Sequence, residues 1–227
     1  MTTGSEPKVT LYTYFRSSCS ARLRIALALK SIPYISIPIN LLKNEQSSTQ
    51  NTAVNPSATV PTLVIEYPSQ PSIIITQSLA ALEYLDEAFP SRSSLLPPVS
   101  EPAQRALVRT LASIIACDVQ PVTNLRILQR VAPFGVDRAA WSKDLIEAGF
   151  AAYETIAKES AGKFSVGDII TLADVCLVPA VWGAERVGVD LGEYPTIKRV
   201  AEALEREKVV KEGHWRTQLD TPEEFRV

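Results

Sequence analysis

Every segment of this chain that reads as a β-strand lies before the proline-rich stretch at 90–102, and none follows it. This asymmetry leaves few architectures open. The strands must be buried in one small α/β layer, and everything beyond has to pack helix on helix. The strand segments are Val9–Tyr14, Tyr34–Ile39, Val60–Ile65 and Ser72–Thr76, each β-branched or aromatic and bounded by turn residues. Between and after them, Ala21–Lys30 and Ser78–Glu87 repeat apolar residues at three- and four-residue spacing, with Leu23, Ala26 and Leu27 on the first and Leu79, Leu82 and Leu85 on the second. Arg22 and Arg24 lie beside the first stripe, where long stems are expected to carry their charges out of the core. The polar run 43–55 is expected as a loop or irregular short helix, and the two prolines within Glu66–Pro71 mark a turn longer than a tight hairpin. The order is β-α-β-loop-β-β-α.

Four prolines and four serines between Pro90 and Pro102 read as a linker, which gives an α/β domain over 1–89, a linker over 90–101 and an all-helical domain over 102–227. Four helices are expected in the second domain. Ala103–Leu128 is bent near Pro121; Trp141–Ser160 carries Leu145, Gly149, Ala152 and Ile156 along one face; Leu172–Glu185 is apolar enough to be central; Pro195–Val210 is last. Thr171-Leu-Ala-Asp174 has the spacing of a capping box at the start of the central helix, a folding feature rather than a catalytic aspartate.

Composition narrows the function classes. Lys+Arg 23 against Asp+Glu 25 gives a net charge of −2 without a clustered positive face, which argues against nucleic acid. No apolar run is read as reaching the roughly 18 residues of a membrane crossing, and the opening MTTGSEPK has no apolar stretch of the secretory kind. Three cysteines, Cys19, Cys117 and Cys176, form no CxxC pair and read as reduced thiols of a cytoplasmic protein, the latter two expected as buried, inert groups. The lone histidine, His214, excludes a histidine-rich metal site and is expected to be a contact of the tail; no metal is expected.

Three places combine the residue types of a binding site. Ser17-Ser-Cys-Ser20 lies at a strand-to-helix junction, where open N–H groups and the positive helix end favour an anion and depress a thiol pKa. Val60-Pro61 precedes a strand and, if cis, would turn the Val60 backbone outward toward an extended peptide. Gln77-Ser78 opens a helix as a carboxylate receptor would. Each is equally readable alone as a cap or a strand start. Together they suit a short peptide that carries a thiol and a free carboxylate, which is the chemistry of glutathione.

The residues Ser17-Ser-Cys-Ser-Ala-Arg-Leu-Arg-Ile-Ala-Leu27, Asn55-Pro56 with Val60-Pro-Thr-Leu63, and Gln77-Ser-Leu-Ala80 with Glu83-Tyr-Leu85 resemble the zeta class of glutathione transferases. Gln120-Pro121 with Asn124-Leu125, Gly167-Asp168, Thr171–Pro179, Ala184-Glu-Arg186, Tyr194-Pro-Thr-Ile197 and Asp220-Thr-Pro222 continue the likeness to the end of the chain. Ala21 departs from it, standing where the family commonly has a larger residue. The resemblance implies a thioredoxin-like α/β domain followed by an all-α domain, a homodimer, a cis Pro61 and glutathione as cofactor. It assigns sulfur binding to Ser17, with Ser18 and Cys19 beside it and Ser20, Ala21 and Arg22 completing the signature turn. The Val60 backbone would pair with the cysteinyl part, Gln77 and Ser78 with the γ-glutamyl end, and Gln120, Asn124 and Leu125 would complete the region. Arg186 would face the carboxylates of a small anionic diketo acid. The implied reaction is cis–trans isomerisation of maleylacetoacetate to fumarylacetoacetate. Conjugation or dehalogenation of small electrophiles such as α-haloacids is the alternative, and a non-catalytic module would need the thiol site lost.

Overall fold

The computed structural model describes residues 6–226; residues 1–5, part of the opening stretch read for a targeting signal, and Val227 lie outside them. The chain divides into two units. One runs as far as Ser93 and takes back the tail from Lys211 onward; the other is Ser94–Val210.

The first unit contains β1 (Lys8–Thr13), α1 (Ser18–Leu29), β2 (Ile35–Pro38), α2 (Thr49–Val54), β3 (Thr62–Glu66), β4 (Ile73–Ile75) and α3 (Ser78–Ala88). The sheet order is β2-β1-β3-β4. β1 runs parallel to β2, whereas β3 is antiparallel to both β1 and β4, so the sheet is mixed and thioredoxin-like. Alternation along β1 and β3 buries Val9, Leu11, Leu63 and Ile65, while α1 and α3 pack on each other. The polar run after β2 folds as two short 3₁₀ turns followed by α2, because Asn40 accepts from the N–H groups of Leu42 and Lys43 and Ser48 caps α2.

Arg22 and Arg24 do not leave the core as expected; each is 1% exposed. Burial of a guanidinium is tolerable where acceptors surround it, and Arg24 has four. Its Nε donates to the Gly213 carbonyl (3.1 Å), Nη1 to Thr13 Oγ1 (3.0 Å) and the Tyr14 carbonyl (3.3 Å), and Nη2 to the Phe15 carbonyl (3.0 Å). Lys30 is buried on the same terms, with Nζ on Asp86 Oδ1 (2.9 Å) and the Ser93 carbonyl (2.8 Å).

The tail also departs from the expected division, in which it ended the helical domain. Gly213 seats it on α1: a Cβ there would collide with the Ile25 side chain and stand 3.0 Å from the Ile25 nitrogen, so only glycine allows this approach.

The second unit contains α4 (Pro102–Ser113), a π-helical turn (Ile114–Val119), α5 (Gln120–Thr123), α6 (Leu125–Val131), α7 (Arg138–Ala157), α8 (Leu172–Arg186) and α9 (Pro195–Arg206); α10 (Lys208–Gly213) crosses the boundary between the units. α8 is central, touching α4, α7 and α9. Its start is the expected capping box: Asp174 accepts from the Thr171 N–H (2.8 Å) and from the Ser165 N–H (2.8 Å).

Four helical expectations need correction. The first long helix breaks at Asn124 rather than near Pro121, because Asn124 turns extended (ψ 157°) to cap α6, while the ladder has already slipped into the π turn. Pro102–Phe134 nevertheless contains an 18-residue stretch apolar enough to meet the length and composition of a membrane crossing, contrary to the reading above. On α7 the buried face is Ser142, Ile146, Phe150, Tyr153 and Ala157, leaving Ala152 exposed. The stripe through Gly149 borders that face and admits the Val119 side chain of the π turn, for which a Cβ leaves no room. The last helix ends at Arg206, where Glu207 goes extended before α10. Cys176 is buried as expected, but Cys117 is exposed, on the outer side of the π turn.

Candidate functional site

β1 and β2 are parallel and end together at Thr13 and Pro38; β3 begins, and β4 ends, at that same edge of the sheet. The segments leaving this edge are therefore neighbours by topology. They are the Tyr14–Ser17 turn, the Val60-Pro61 entry to β3 and the Gln77-Ser78 entry to α3.

Ser17 is the N-cap of α1, with extended backbone (φ −72°, ψ 118°), and its Oγ accepts from the Ser20 N–H at 3.1 Å. The cap reading and the binding reading coexist, because accepting through a lone pair leaves the hydroxyl hydrogen to donate. Among the described residues the N–H groups of Ser18 and Cys19 find no acceptor, so the first turn presents open donors and the positive helix end. Ser17, Ser18 and Cys19 are half-buried; Ser20, Ala21 and Arg22 are buried beneath them.

The second helix start lies beside the first. Arg22 Nη1 donates to Ser78 Oγ at 3.1 Å, which ties the signature helix directly to α3. Gln77 holds the N-cap of α3 without a side-chain capping bond, and among the described residues the first N–H groups of that helix too find no acceptor. The Val60–Pro61 bond is cis, and Asn55 braces the approach to it through Nδ2 on the Thr59 carbonyl (2.9 Å) and Thr62 Oγ1 (3.0 Å). Two helix N-termini and a strand entry on one sheet edge fit a peptide bearing a thiolate and a carboxylate. Glutathione is such a peptide, and the residues present fit it.

Sequence reasoning missed what holds this edge in place. Arg24 takes the carbonyls of the turn before Ser17, and Asp220 Oδ2 accepts the Phe15 N–H at 2.8 Å from the far end of the chain. The available signals were two arginines inside an apolar helix and an Asp-Thr-Pro at the end. Burial brings the Arg24 guanidinium down to about 10, against the opposing pull of Tyr34 and Asp220, so it is charged at neutral pH. A cavity of about 410 Å³ opens beside the turn, walled by Tyr14, Phe15, Arg16, Asn40, Asp220 and Phe225 among others; Ser17 is not in its walls. His214 is the tail contact expected: Nδ1 accepts from the Arg216 N–H (3.1 Å), and burial, followed by the charges of Arg216 and Arg24, lowers its pKa to about 4.

The other residues expected at the site, Gln120, Asn124, Leu125 and Arg186, belong to the second unit. Gln120 opens α5 after the π turn. Asn124 caps α6, with Oδ1 on the Ile127 N–H (3.0 Å) and Nδ2 on the Pro121 carbonyl (2.7 Å), and Leu125 follows as the first helical residue. Arg186 is exposed in the last turn of α8, where a cation complements the helix end. Among the described residues no His/Cys/Asp/Glu cluster could hold a metal ion.

Residues 16–88 match the family model for the glutathione S-transferase N-terminal domain, and residues 141–208 that for the C-terminal domain. The chain is 81% identical to the maleylacetoacetate isomerase of Emericella nidulans over 229 residues, covering 100% of both chains. It is 56% identical to a probable glutathione S-transferase of Coccidioides immitis, with 97% of this chain and 99% of that protein covered. Among solved structures it is similar to the maleylacetoacetate isomerase of Anaeromyxobacter dehalogenans, crystallised with dicarboxyethyl glutathione and citrate in the active site, with a TM-score of 0.86, 37% identity, and 96% of this chain and 95% of that one covered. The chain belongs to the zeta class of the glutathione S-transferase family.

Proposed function

We propose that this chain is a glutathione-dependent cis–trans isomerase of maleylacetoacetate, working as a cytoplasmic homodimer, with neither nucleic acid nor a membrane as partner. The observation that carries the reading is the pairing of two open helix starts, at Ser17–Cys19 and at Gln77-Ser78, through the Arg22–Ser78 hydrogen bond. The likeness to the Emericella isomerase supports the choice of reaction. So does the Anaeromyxobacter enzyme, whose bound ligand is a glutathione bearing a dicarboxylate.

Glutathione, when bound, supplies a thiolate that adds reversibly to the conjugated double bond and so permits rotation before elimination. The protein's residues do the rest. Ser17 Oγ–H and the open N–H groups of Ser18 and Cys19 hold the sulfur as an anion near neutral pH. The Val60 backbone and the first turn of α3, with Gln77 and Ser78, fix the peptide at its other end. Arg186 binds substrate carboxylate, for which a planar, permanently charged fork is suited.

The Coccidioides relative favours a second reading, general conjugation or dehalogenation of small electrophiles such as α-haloacids. The two separate in one experiment: isomerisation of maleylacetoacetate, or a stable maleyl analogue, measured beside haloacid and neutral-electrophile conjugation in wild type and Arg186→Ala. The isomerase reading expects robust isomerisation, lowered in Arg186→Ala, with glutathione affinity and neutral conjugation retained. Conjugation without isomerisation would favour the transferase. Equal loss on charged and neutral substrates would remove Arg186 from substrate binding.

A further inference from the structure

We propose that Asp220 is a positioning residue for the sulfur site, acting through the backbone of Phe15 on the placement of Ser17. This rests on the glutathione reading above. The Asp220-Thr-Pro222 motif has no other part in the site, and the geometry supplies one.

Only Tyr14, Phe15 and Arg16 separate the last residue of β1 from the N-cap of α1. This turn is held from two directions. Asp220 takes the Phe15 N–H at 2.8 Å, while Arg24 takes the Tyr14 and Phe15 carbonyls at 3.3 and 3.0 Å. The Ser17 N–H in turn donates to the Tyr14 carbonyl at 3.0 Å, so the peptide that Asp220 and Arg24 grip is the one from which Ser17 hangs.

The tail that brings Asp220 there is itself fixed. Thr221 Oγ1 donates to the Trp215 carbonyl at 2.5 Å, and Arg226 Nε to the Thr221 carbonyl at 2.8 Å. The Arg16 guanidinium lies 5.4 Å from the Trp215 ring centroid and 4.8 Å from that of Phe225. The charges around Asp220 are Arg24 from α1, Arg16 from the turn, Glu45 from the loop after β2 and Glu224 from the tail. A carboxylate on a backbone N–H is a strong, directional contact. A hydroxyl that must meet a sulfur within hydrogen-bond reach is sensitive to displacements of an ångström or less.

The test compares full-length wild type, Asp220→Ala and Asp220→Asn. The pKa of the glutathione thiol in the binary complex is read from thiolate absorbance, together with kcat, KM and the melting temperature. Asp220→Ala should raise the bound thiol's pKa by about one unit, an approximately tenfold loss of thiolate near neutral pH, with kcat falling in parallel. Asp220→Asn keeps an acceptor oxygen and should recover most of that loss. A wild-type thiol pKa in Asp220→Ala, with only the melting temperature lowered, would overturn the proposal and leave Asp220 a structural anchor. If wild type itself binds no glutathione, or binds it without depressing the thiol, the glutathione reading fails and this inference with it. Should Asp220→Ala not fold, Asp220→Glu moves the carboxylate by one methylene and should raise the thiol pKa part of the way; an unchanged value there would equally overturn the proposal.

Discussion

Ser17 uses one hydroxyl in two ways, accepting from Ser20 to start a helix and keeping a hydrogen for an anion. Its replacement by alanine should therefore cost about 1 kcal/mol of stability as a lost cap and, separately, raise the pKa of bound thiol and depress isomerisation near neutral pH. Cys19→Ala should keep most of the activity, because the proposed reaction uses the sulfur of glutathione. Thiol titration and steady-state rates on both variants check this, and complete loss in Cys19→Ala alone would reverse the roles. At this scale the sequence displayed Ser17–Cys19 and Gln77-Ser78 plainly, since helix starts have local signatures. Arg24 was misread because an arginine beside an apolar stripe looks the same whether it snorkels outward or turns inward to waiting carbonyls. The carbonyls that decided the matter belong to Tyr14, Phe15 and Gly213, and Gly213 is far away in the chain.

Helix α8 shows what an element needs in order to be buried nearly all round. Its first donors have no water to turn to: Asp174 accepts the N-cap Thr171 N–H, and the Leu95 carbonyl accepts the Leu172 N–H. Burial raises the Asp174 pKa, opposed by the hydrogen bonds from Ser165 and Thr171. Asp174→Ala would strand the Ser165 and Thr171 N–H groups, and at roughly 1–3 kcal/mol for each buried unsatisfied group the variant should lose about 3 kcal/mol in denaturant unfolding. Asp174→Asn, which retains one acceptor, should lose less. The capping box was legible because its partners are three residues apart. The buried face of α7 was not: apolar spacing allows two adjacent stripes, and the choice was made by Val119, on a π turn whose irregularity no periodic pattern encodes. The breaks at Asn124 and Glu207 likewise lie inside runs that remain apolar-periodic across them.

For the whole molecule, the composition shift at 90–102 located the change from α/β to all-α, because linkers announce themselves in proline and serine. The return of the tail did not show, since nothing local in residues 211–226 names the helix on which they sit. The proposed homodimer is an expectation at this scale. β4 is one of the two edge strands of the sheet, and Ile74 on it is half exposed, the kind of surface a second copy covers. Light scattering at micromolar concentration should give about twice 24.8 kDa, and a monomer with full activity would contradict it.

Because Asp220, which grips Phe15, follows it by 205 residues, the order in which the ribosome delivers the chain matters. The strands and helices of the first unit emerge early and can form while the helical unit is still being made. Arg24 then waits, without the Gly213 carbonyl, and Phe15 without Asp220. A nascent chain halted between Ser94 and Gly213 thus carries Ser17–Cys19 but lacks the Asp220 and Gly213 contacts that hold the turn before them. The turn that emerges with the first strand is closed only after the whole of the second unit has followed it.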